Sequence, residues 1–381
     1  MRPLKVLHVA SFSGNIGDIL SHQGFYPWFE NLLPTPISWT KFEIRNIFRG
    51  LASFDNDIVP LIESHDLTIF GGGNYFETWP ENSRTGTSID LSLQFLEKSN
   101  KPIFFNSLGV DRSLGVSGQA SENLPKLFDI ILDKENYILS VRNDGAAESL
   151  MQFTDSTNWS EVPDHGFFGS AKTQLPKEEG DSVKTVSINL AQDMPELRFG
   201  SPETISNFVS KFAGQMINLL DSGSDIKIQF VPHIFSDLKF AAEIMQEIPD
   251  KYVRECISIA GLDTRFSNGL RSFSPYDRSD LVLANRFHAN IYSLSRGLNT
   301  IGLVNHPQIS KLYEGLGNLG VYRTTHNLWN SLDTLSESVV ESLAFGESSV
   351  FQAQEVAKKM CELRSNFEPH LSTWLRLNLS F

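Results

Sequence analysis

Short apolar runs recur along the chain, each followed by a polar turn and a longer stretch with helical spacing. Leu4 to Ala10, Asp66 to Phe70, Pro102 to Ser107 and Tyr137 to Arg142 are brief, rich in β-branched or aromatic residues, and bounded by Gly or polar residues. Buried parallel strands look like this, because crossover helices cover both faces of their sheet. A short extended piece, Glu161 to Asp164, follows. Ser170 to Ser182 then breaks the rhythm. It is charged, carries Pro and Gly, has almost no apolar residues, and reads as a linker. The alternation restarts at Thr185 to Ala191 and continues through Ile226 to His233, Cys256 to Gly261, Leu281 to Asn285 and Thr300 to Val304. Leu335 to Phe381 keeps helical spacing without a strand, and is expected to pack across one domain or bridge both. Two successive series predict two Rossmann-like α/β domains with mostly parallel sheets, facing across a cleft. The expected divisions are 1–176, 177–345 and a helical tail over 346–381.

Composition narrows the partners. The 381 residues carry 45 acidic and 32 basic side chains, a net charge of −13, which disfavours non-specific binding to nucleic acid. Cys256 and Cys361 are the only cysteines, too few for a disulfide framework or a thiolate zinc site, as suits a reducing compartment. The sequence has no signal-peptide apolar region and no apolar stretch long enough to span a bilayer. A cytoplasmic location is the expectation. The 28 Phe residues fit a core and also fit stacking on sugar rings, so they decide nothing.

In open parallel sheets, ligands bind beyond the carboxyl ends of the strands, so the loops there carry the chemistry. The first run ends in Ser11-Phe12-Ser13-Gly14-Asn15-Ile16-Gly17-Asp18. Its glycines allow a sharp turn and close approach, and the new helix start offers N–H groups to a polar ligand. It reads either as that or as a tight turn with Asp18 as a helix-start carboxylate. The second run enters Gly71-Gly72-Gly73-Asn74, where three glycines cost backbone entropy and point to close approach of a ligand or of the other domain. Glu77 and Trp79 lie just beyond and are placed to face a sugar. Arg142, at the end of the fourth run, is an anion clamp or half of an Arg–Asp pair that ties down a helix start. His233 and Asp237 follow a strand end at a spacing of four. Without a third ligand they read as a substrate-facing pair rather than a metal site, and a buried structural His stands as the other reading.

The most informative element is Leu281 to His288, where a buried strand ends and Arg286 and His288 begin a helix. Phe287, Ile291, Leu294 and Leu298 mark that helix's buried face, leaving residues 286 and 288 directed toward the strand-end cleft. An Arg and a His at a helix start form an anion site by fork geometry, charge and dipole. A cation there is locally unfavourable for the helix, which argues for function.

Taken in order, these elements resemble the polysaccharide pyruvyltransferase family. They are G-N-I-G-D at Gly14 to Asp18, G-G-G-N at Gly71 to Asn74, V-R at Val141-Arg142, P-D at Pro163-Asp164, P-H-x-x-x-D at Pro232 to Asp237 and R-F-H at Arg286 to His288. The resemblance covers roughly residues 6 to 320. It implies a GT-B-like fold, and transfer of pyruvate from phosphoenolpyruvate onto two saccharide hydroxyls as a cyclic ketal, in polysaccharide or cell-surface glycan biosynthesis. It implies donor binding through Arg286, His233, Lys311 and Arg142. Acceptor binding would fall to Asn15, Gly72, Gly73, Asn74 and Asp164, and catalysis to His288, Asp18 and Asp237. The partners would be phosphoenolpyruvate and a saccharide acceptor, lipid- or nucleotide-linked forms included. No step calls for a metal or redox cofactor. A nucleotide-sugar glycosyltransferase and a non-catalytic carbohydrate-binding member are the alternatives.

Three departures from the family pattern stand out. Val141-Arg142-Asn143-Asp144 carries an insertion in the usual V-R-D, and Asn106-Ser107-Leu108-Gly109 replaces a Gly-rich stretch. Asn305-His306-Pro307-Gln308 lacks the Lys often found there, and Lys311, about one helical turn on, is the expected substitute.

Overall fold

A computed structural model describes residues 2–169, 183–222, 225–266, 269–317, 325–328, 332–344 and 349–380. The expected linker, 170–182, and with it the 176/177 boundary, lies outside the described residues.

The first half contributes β1 (Leu4–Ala10), β2 (Ile37–Glu43), β3 (Leu67–Gly71), β4 (Phe76–Glu77), β5 (Ile103–Leu108), β6 (Val110–Asp111), β7 (Tyr137–Arg142) and β8 (Ser160–Val162). Six form a parallel sheet in the order β2-β1-β3-β5-β7-β8, and β4 pairs with β6 separately. Successive side chains alternate between faces, and both faces are covered. Leu7, Phe70, Phe105 and Leu139 pack against Leu124, Leu127 and Phe128 of the helix Gly118–Asp133. Their neighbours Val6, Ile69, Phe104 and Ile138 pack with Phe25 and Phe29 of the helix Ile16–Asn31, and with Phe367, Leu371 and Trp374 of the last helix, Ser349–Asn378. Burial on both faces is why these strands read as unbroken apolar runs.

β9 (Lys184–Asn189), β10 (Ile226–Phe230), β11 (Ile257–Ile259), β12 (Leu281–Ala284), β13 (Thr300–Val304) and β14 (Thr325–Asn327) form a second parallel sheet, ordered β11-β10-β9-β12-β13-β14. Val186, Ile188, Ile228, Leu281 and Leu283 join Phe208, Phe212 and Phe240 in its core. Cys256, expected at a strand start, ends the helix Asp250–Cys256 instead.

By internal contacts the chain divides into two compact units. The first is Met1–Phe12, Ser21–His165 and Lys359–Phe381, and the second is Ser13–Leu20 and Gly166–Lys358. The end of the last helix therefore groups with the first unit, where Trp28 Nε1 donates to Glu368 (2.6 Å) and Trp374 Nε1 to the Glu135 carbonyl (2.9 Å). The loop after β1 groups with the second. Strand order reverses between β1 and β3 in one sheet and between β9 and β12 in the other, so each sheet has a switch point where ligand crevices form.

Candidate active site

In the second unit the switch point carries the loops after β9 and β12. Arg286 is the N-cap of the helix Phe287–Arg296, and its guanidinium is buried between two carboxylates. Nε and Nη2 donate to Asp237 at 2.6 and 2.5 Å, while Nη1 and Nη2 donate to Asp193 at 3.1 and 3.0 Å. The cost of a cation at a helix start is offset here by two anions. Burial opposes the charge of Arg286, but Asp237 and Asp193 outweigh it and hold the group above its ordinary range. Asp237 also accepts from the backbone N–H of His233 (2.9 Å) and of Ile234 (3.3 Å), capping the helix Phe235–Gln246. Both oxygens of Asp237, expected among the catalytic groups, are thus engaged within the chain.

His288 is buried in the first turn, and the whole of 287–294 is buried with it, so the helix has no open face there. Gly17 explains how the loop after β1 fits against it. A Cβ built on Gly17 would lie 2.4 Å from His288 Nδ1 and 2.6 Å from its Cγ. Gly17 has no unusual φ, so its requirement is steric, and only a residue without a side chain leaves the imidazole its place. Asn15 Oδ1 accepts from Gly17 N–H (2.9 Å), and Ile16 N–H reaches the His233 carbonyl (3.4 Å). The second unit thus gathers Asn15, Asp18, His233, Asp237, Arg286 and His288.

His233 is fully buried, edge-on to Phe273, with Nε2 2.8 Å from the Tyr276 hydroxyl. Its Nδ1 has no hydrogen-bond partner among the described residues. Burial first, then the Arg286 charge and His288, push its pKa well below the usual value, so the ring is neutral.

Two groups were missed by the sequence reading, Asp193 and Arg198. Arg198 is buried in the short helix Pro195–Phe199, donating from Nε to the Asp193 carbonyl (2.9 Å) and from Nη1 to Asn305 Oδ1 (2.8 Å). Its Nε also lies 3.3 Å from the Asp193 carboxylate. Only an apolar flank in P-E-L-R-F announced it. Lys311 reaches Glu314 on its own helix (3.0 Å) and is 37% exposed, while Gln308 N–H bonds His306 Nδ1 (3.3 Å) at that helix's start.

In the first unit, Arg142 is buried beside Asp144 (2.8 Å) and Asp164 (3.5 Å). Burial opposes its charge, and Asp144 and Asp164 hold it above the ordinary value. Asn74 Nδ2 donates to Asp111 (2.8 Å), and a Cβ on Gly109 would meet Asn74 Oδ1 at 2.1 Å and Arg142 Nη2 at 2.5 Å. Arg142 therefore groups with Asn74 and Asp164 within the first unit. Within the glycine run the chain itself approaches closely. A Cβ at Gly71 would lie 2.1 Å from the Asn106 carbonyl, and one at Gly73 would lie 2.4 Å from the Tyr75 ring; Gly72 has φ +75°. Ser107, where the family pattern has Gly, carries φ +47°.

Glu77 accepts from Ser88; burial and then Asp111 raise its pKa to about 7. His8 and His165, buried in the same unit, are shifted the other way. Burial lowers His165 to about 3, and burial with His22 takes His8 well below its usual value. The unfolded chain takes up protons on His8, His165 and His233 below about pH 6.5, where the folded protein does not. Between about pH 4.5 and 6.5, folded Glu77 holds a proton that the unfolded chain lacks. Three protons against one make stability fall by about 3 kcal/mol per pH unit on acidification. Glu77→Gln removes the opposing proton, so it steepens that loss to about 4 kcal/mol per unit and raises stability above pH 7. Urea unfolding at several pH values between 5 and 8 checks both slopes.

A family model described as polysaccharide pyruvyl transferase matches residues 15–307. The chain belongs to the polysaccharide pyruvyl transferase family. The match takes in the motifs named above from Asn15 to His288, leaving out Gly14, Gln308 and Lys311, and it makes a saccharide the implied substrate. No curated protein matches the chain by sequence. Among solved structures, a protein assigned as a UDP-N-acetylglucosamine 2-epimerase from Listeria monocytogenes is 12% identical with a TM-score of 0.53, over 93% of this chain and 91% of that one. The Methanocaldococcus jannaschii UDP-GlcNAc 2-epimerase, in complex with UDP-GlcNAc and UDP, is 11% identical with a TM-score of 0.51, over 90% and 92%. At such identity the likeness concerns the fold alone, which is the GT-B-like pairing of Rossmann-like α/β units. Among the described residues no helix is long and apolar enough to cross a membrane.

Proposed function

We propose that the protein transfers the enolpyruvyl carbons of phosphoenolpyruvate to two hydroxyls of a saccharide, forming a cyclic pyruvate ketal and releasing phosphate. The observation that carries this reading is the Arg286-x-His288 pair, held at a helix start at the switch point of the second sheet, in a member of this family. The donor has a phosphate and a carboxylate and needs cations, which Arg286 supplies with fork geometry. His288 protonates the donor methylene, giving the methyl group. One saccharide hydroxyl adds to the resulting cationic carbon and loses its proton, with Asp18 as its base. Phosphate leaves, and the second hydroxyl closes the ring, its proton departing with the phosphate. His233, neutral and with an open Nδ1, orients the donor. In this reading 177–345 is the donor side and 1–176 the acceptor side, where Asn74, Gly72, Gly73 and Asp164 meet the sugar alongside Asn15. Arg142 becomes a clamp for Asp164, and Lys311 a peripheral cation.

Thermal stabilisation separates this from sugar-nucleotide chemistry. Phosphoenolpyruvate at about a hundred times its Kd adds about 2.7 kcal/mol. Stabilisation by a nucleotide sugar and not by phosphoenolpyruvate would select glycosyl transfer instead.

A further inference from the structure

Asp193 and Asp237 both face Arg286, but they are built differently. The Asp237 side chain is 1% exposed and accepts two backbone N–H bonds besides the guanidinium. The Asp193 side chain is 35% exposed, and its carboxylate is held by arginines, Arg286 in fork fashion and Arg198 at 3.3 Å. One counter-ion is fixed in the fold, and the other rests on two buried cations with its back to solvent.

The segment that brings Asp193 there is strained. Met194, the next residue, has φ +54° and ψ +53°, a left-handed conformation that a bulky side chain takes at a cost. Asn305, which holds Arg198 through Oδ1, also accepts from Asn285 Nδ2 (2.7 Å), and its own buried Nδ2 has no partner among the described residues. Burial and the like charge of Arg286 leave Arg198 below its ordinary range even with Asp193 beside it.

We propose that Arg198 and Arg286 form an oxyanion subsite for the donor, and that Asp193 is an internal stand-in for the anion, displaced when a phosphate or carboxylate binds. This rests on the donor reading above and adds to it the second cation and the gate. Arg198 then fills the role of the cation missing at Gln308. Charge supports the exchange. Two arginines with Asp237 alone are left one positive charge in excess, which an incoming anion balances as Asp193 swings to solvent. Displacement also frees the Met194 backbone to relax.

The test uses the full-length protein, with inorganic phosphate and phosphoenolpyruvate as separate probes in titration calorimetry. Asp193→Asn keeps the shape and removes the competing charge, so both probes should bind about tenfold more tightly. Arg198→Gln should weaken both by about tenfold or more, and the double variant should bind more weakly than Asp193→Asn alone. Unchanged or weaker binding in Asp193→Asn, with its circular dichroism intact, would overturn the gate. Unchanged binding in Arg198→Gln would remove Arg198 from the subsite. Should a substitution fail to fold, Asp193→Glu gives a second route. The longer side chain keeps the charge, and its phosphate affinity should stay within about threefold of the parent or fall; tightening would contradict competition. Phosphate alone reads the subsite, and ketal formation reads the donor chemistry. Tightened phosphate binding without ketal formation would keep the subsite and sink the donor reading. Ketal formation with unchanged phosphate binding would do the reverse.

Discussion

Arg286→Ala is expected to lose both donor binding and a large part of the stability of the second unit. Asp237 is 1% exposed, and two of the bonds to its carboxylate come from Arg286. Removing the guanidinium leaves a buried carboxylate without its counter-ion, a loss of about 3–5 kcal/mol in comparable buried pairs. Asp193, more exposed, turns to water at little cost. Stabilisation by phosphoenolpyruvate should vanish in the same variant. Arg286→Lys keeps the charge but not the fork, so it should recover part of the stability and little of the donor affinity. Urea unfolding and thermal shift, each with and without phosphoenolpyruvate, measure the two effects. A variant within 1 kcal/mol of the parent would show that the Asp237 pair contributes little.

Gly17→Ala should inactivate through one methyl group. In an unobstructed helix, Gly to Ala stabilises by about 1 kcal/mol. Gly214, inside the helix Pro202–Asp221, has nothing within 4 Å of its built Cβ, so Gly214→Ala should show that ordinary gain. At Gly17 the same methyl group would lie 2.4 Å from the His288 ring, and the imidazole or the helix start must move. The sign reverses, with a loss of about 1–3 kcal/mol. A displaced imidazole is also misaligned for proton transfer, and about a hundredfold loss of kcat follows from shifts near 1 Å. Donor affinity, which rests on Arg286, should change far less. Equal stabilisation by the two Ala substitutions would mean that Gly17 does not hold His288.

The sheets were legible because β1, β3, β5, β7, β12 and β13 are buried on both faces, so each is an apolar run that polar turns interrupt. β2 escaped notice for the same physical reason. It is the edge strand beyond β1, none of its residues is buried, and Ile37-Ser38-Trp39-Thr40-Lys41 alternates without a continuous run. The loops after β1 and β12 were legible through a local conflict, an Arg at a helix start and glycines where a helix gains nothing from them. The structure shows what settles each conflict: Asp237 and Asp193 around Arg286, and the His288 ring over Gly17. Those partners lie far away in the chain, and no local pattern links position 193 or 198 to 286. The run Gly71 to Gly73 reads as close approach of a ligand or of the other domain, and the would-be Cβ atoms of Gly71 and Gly73 meet Asn106 and Tyr75. Glycine at a strand end marks close approach without saying of what. Lys311 was chosen by sequence distance from Gln308; Arg198, more than a hundred residues earlier, is the buried cation beside Arg286.

Product analysis tests the central claim most directly. The protein is incubated with phosphoenolpyruvate and a panel of saccharide acceptors, and phosphate release is followed together with the carbon-13 spectrum of the recovered saccharide. The account predicts one phosphate released per saccharide modified, a new quaternary ketal carbon bearing a methyl and a carboxylate, and loss of both signals in His288→Ala. Transfer of a glycosyl group from a nucleotide sugar, with phosphoenolpyruvate left intact throughout, would contradict it.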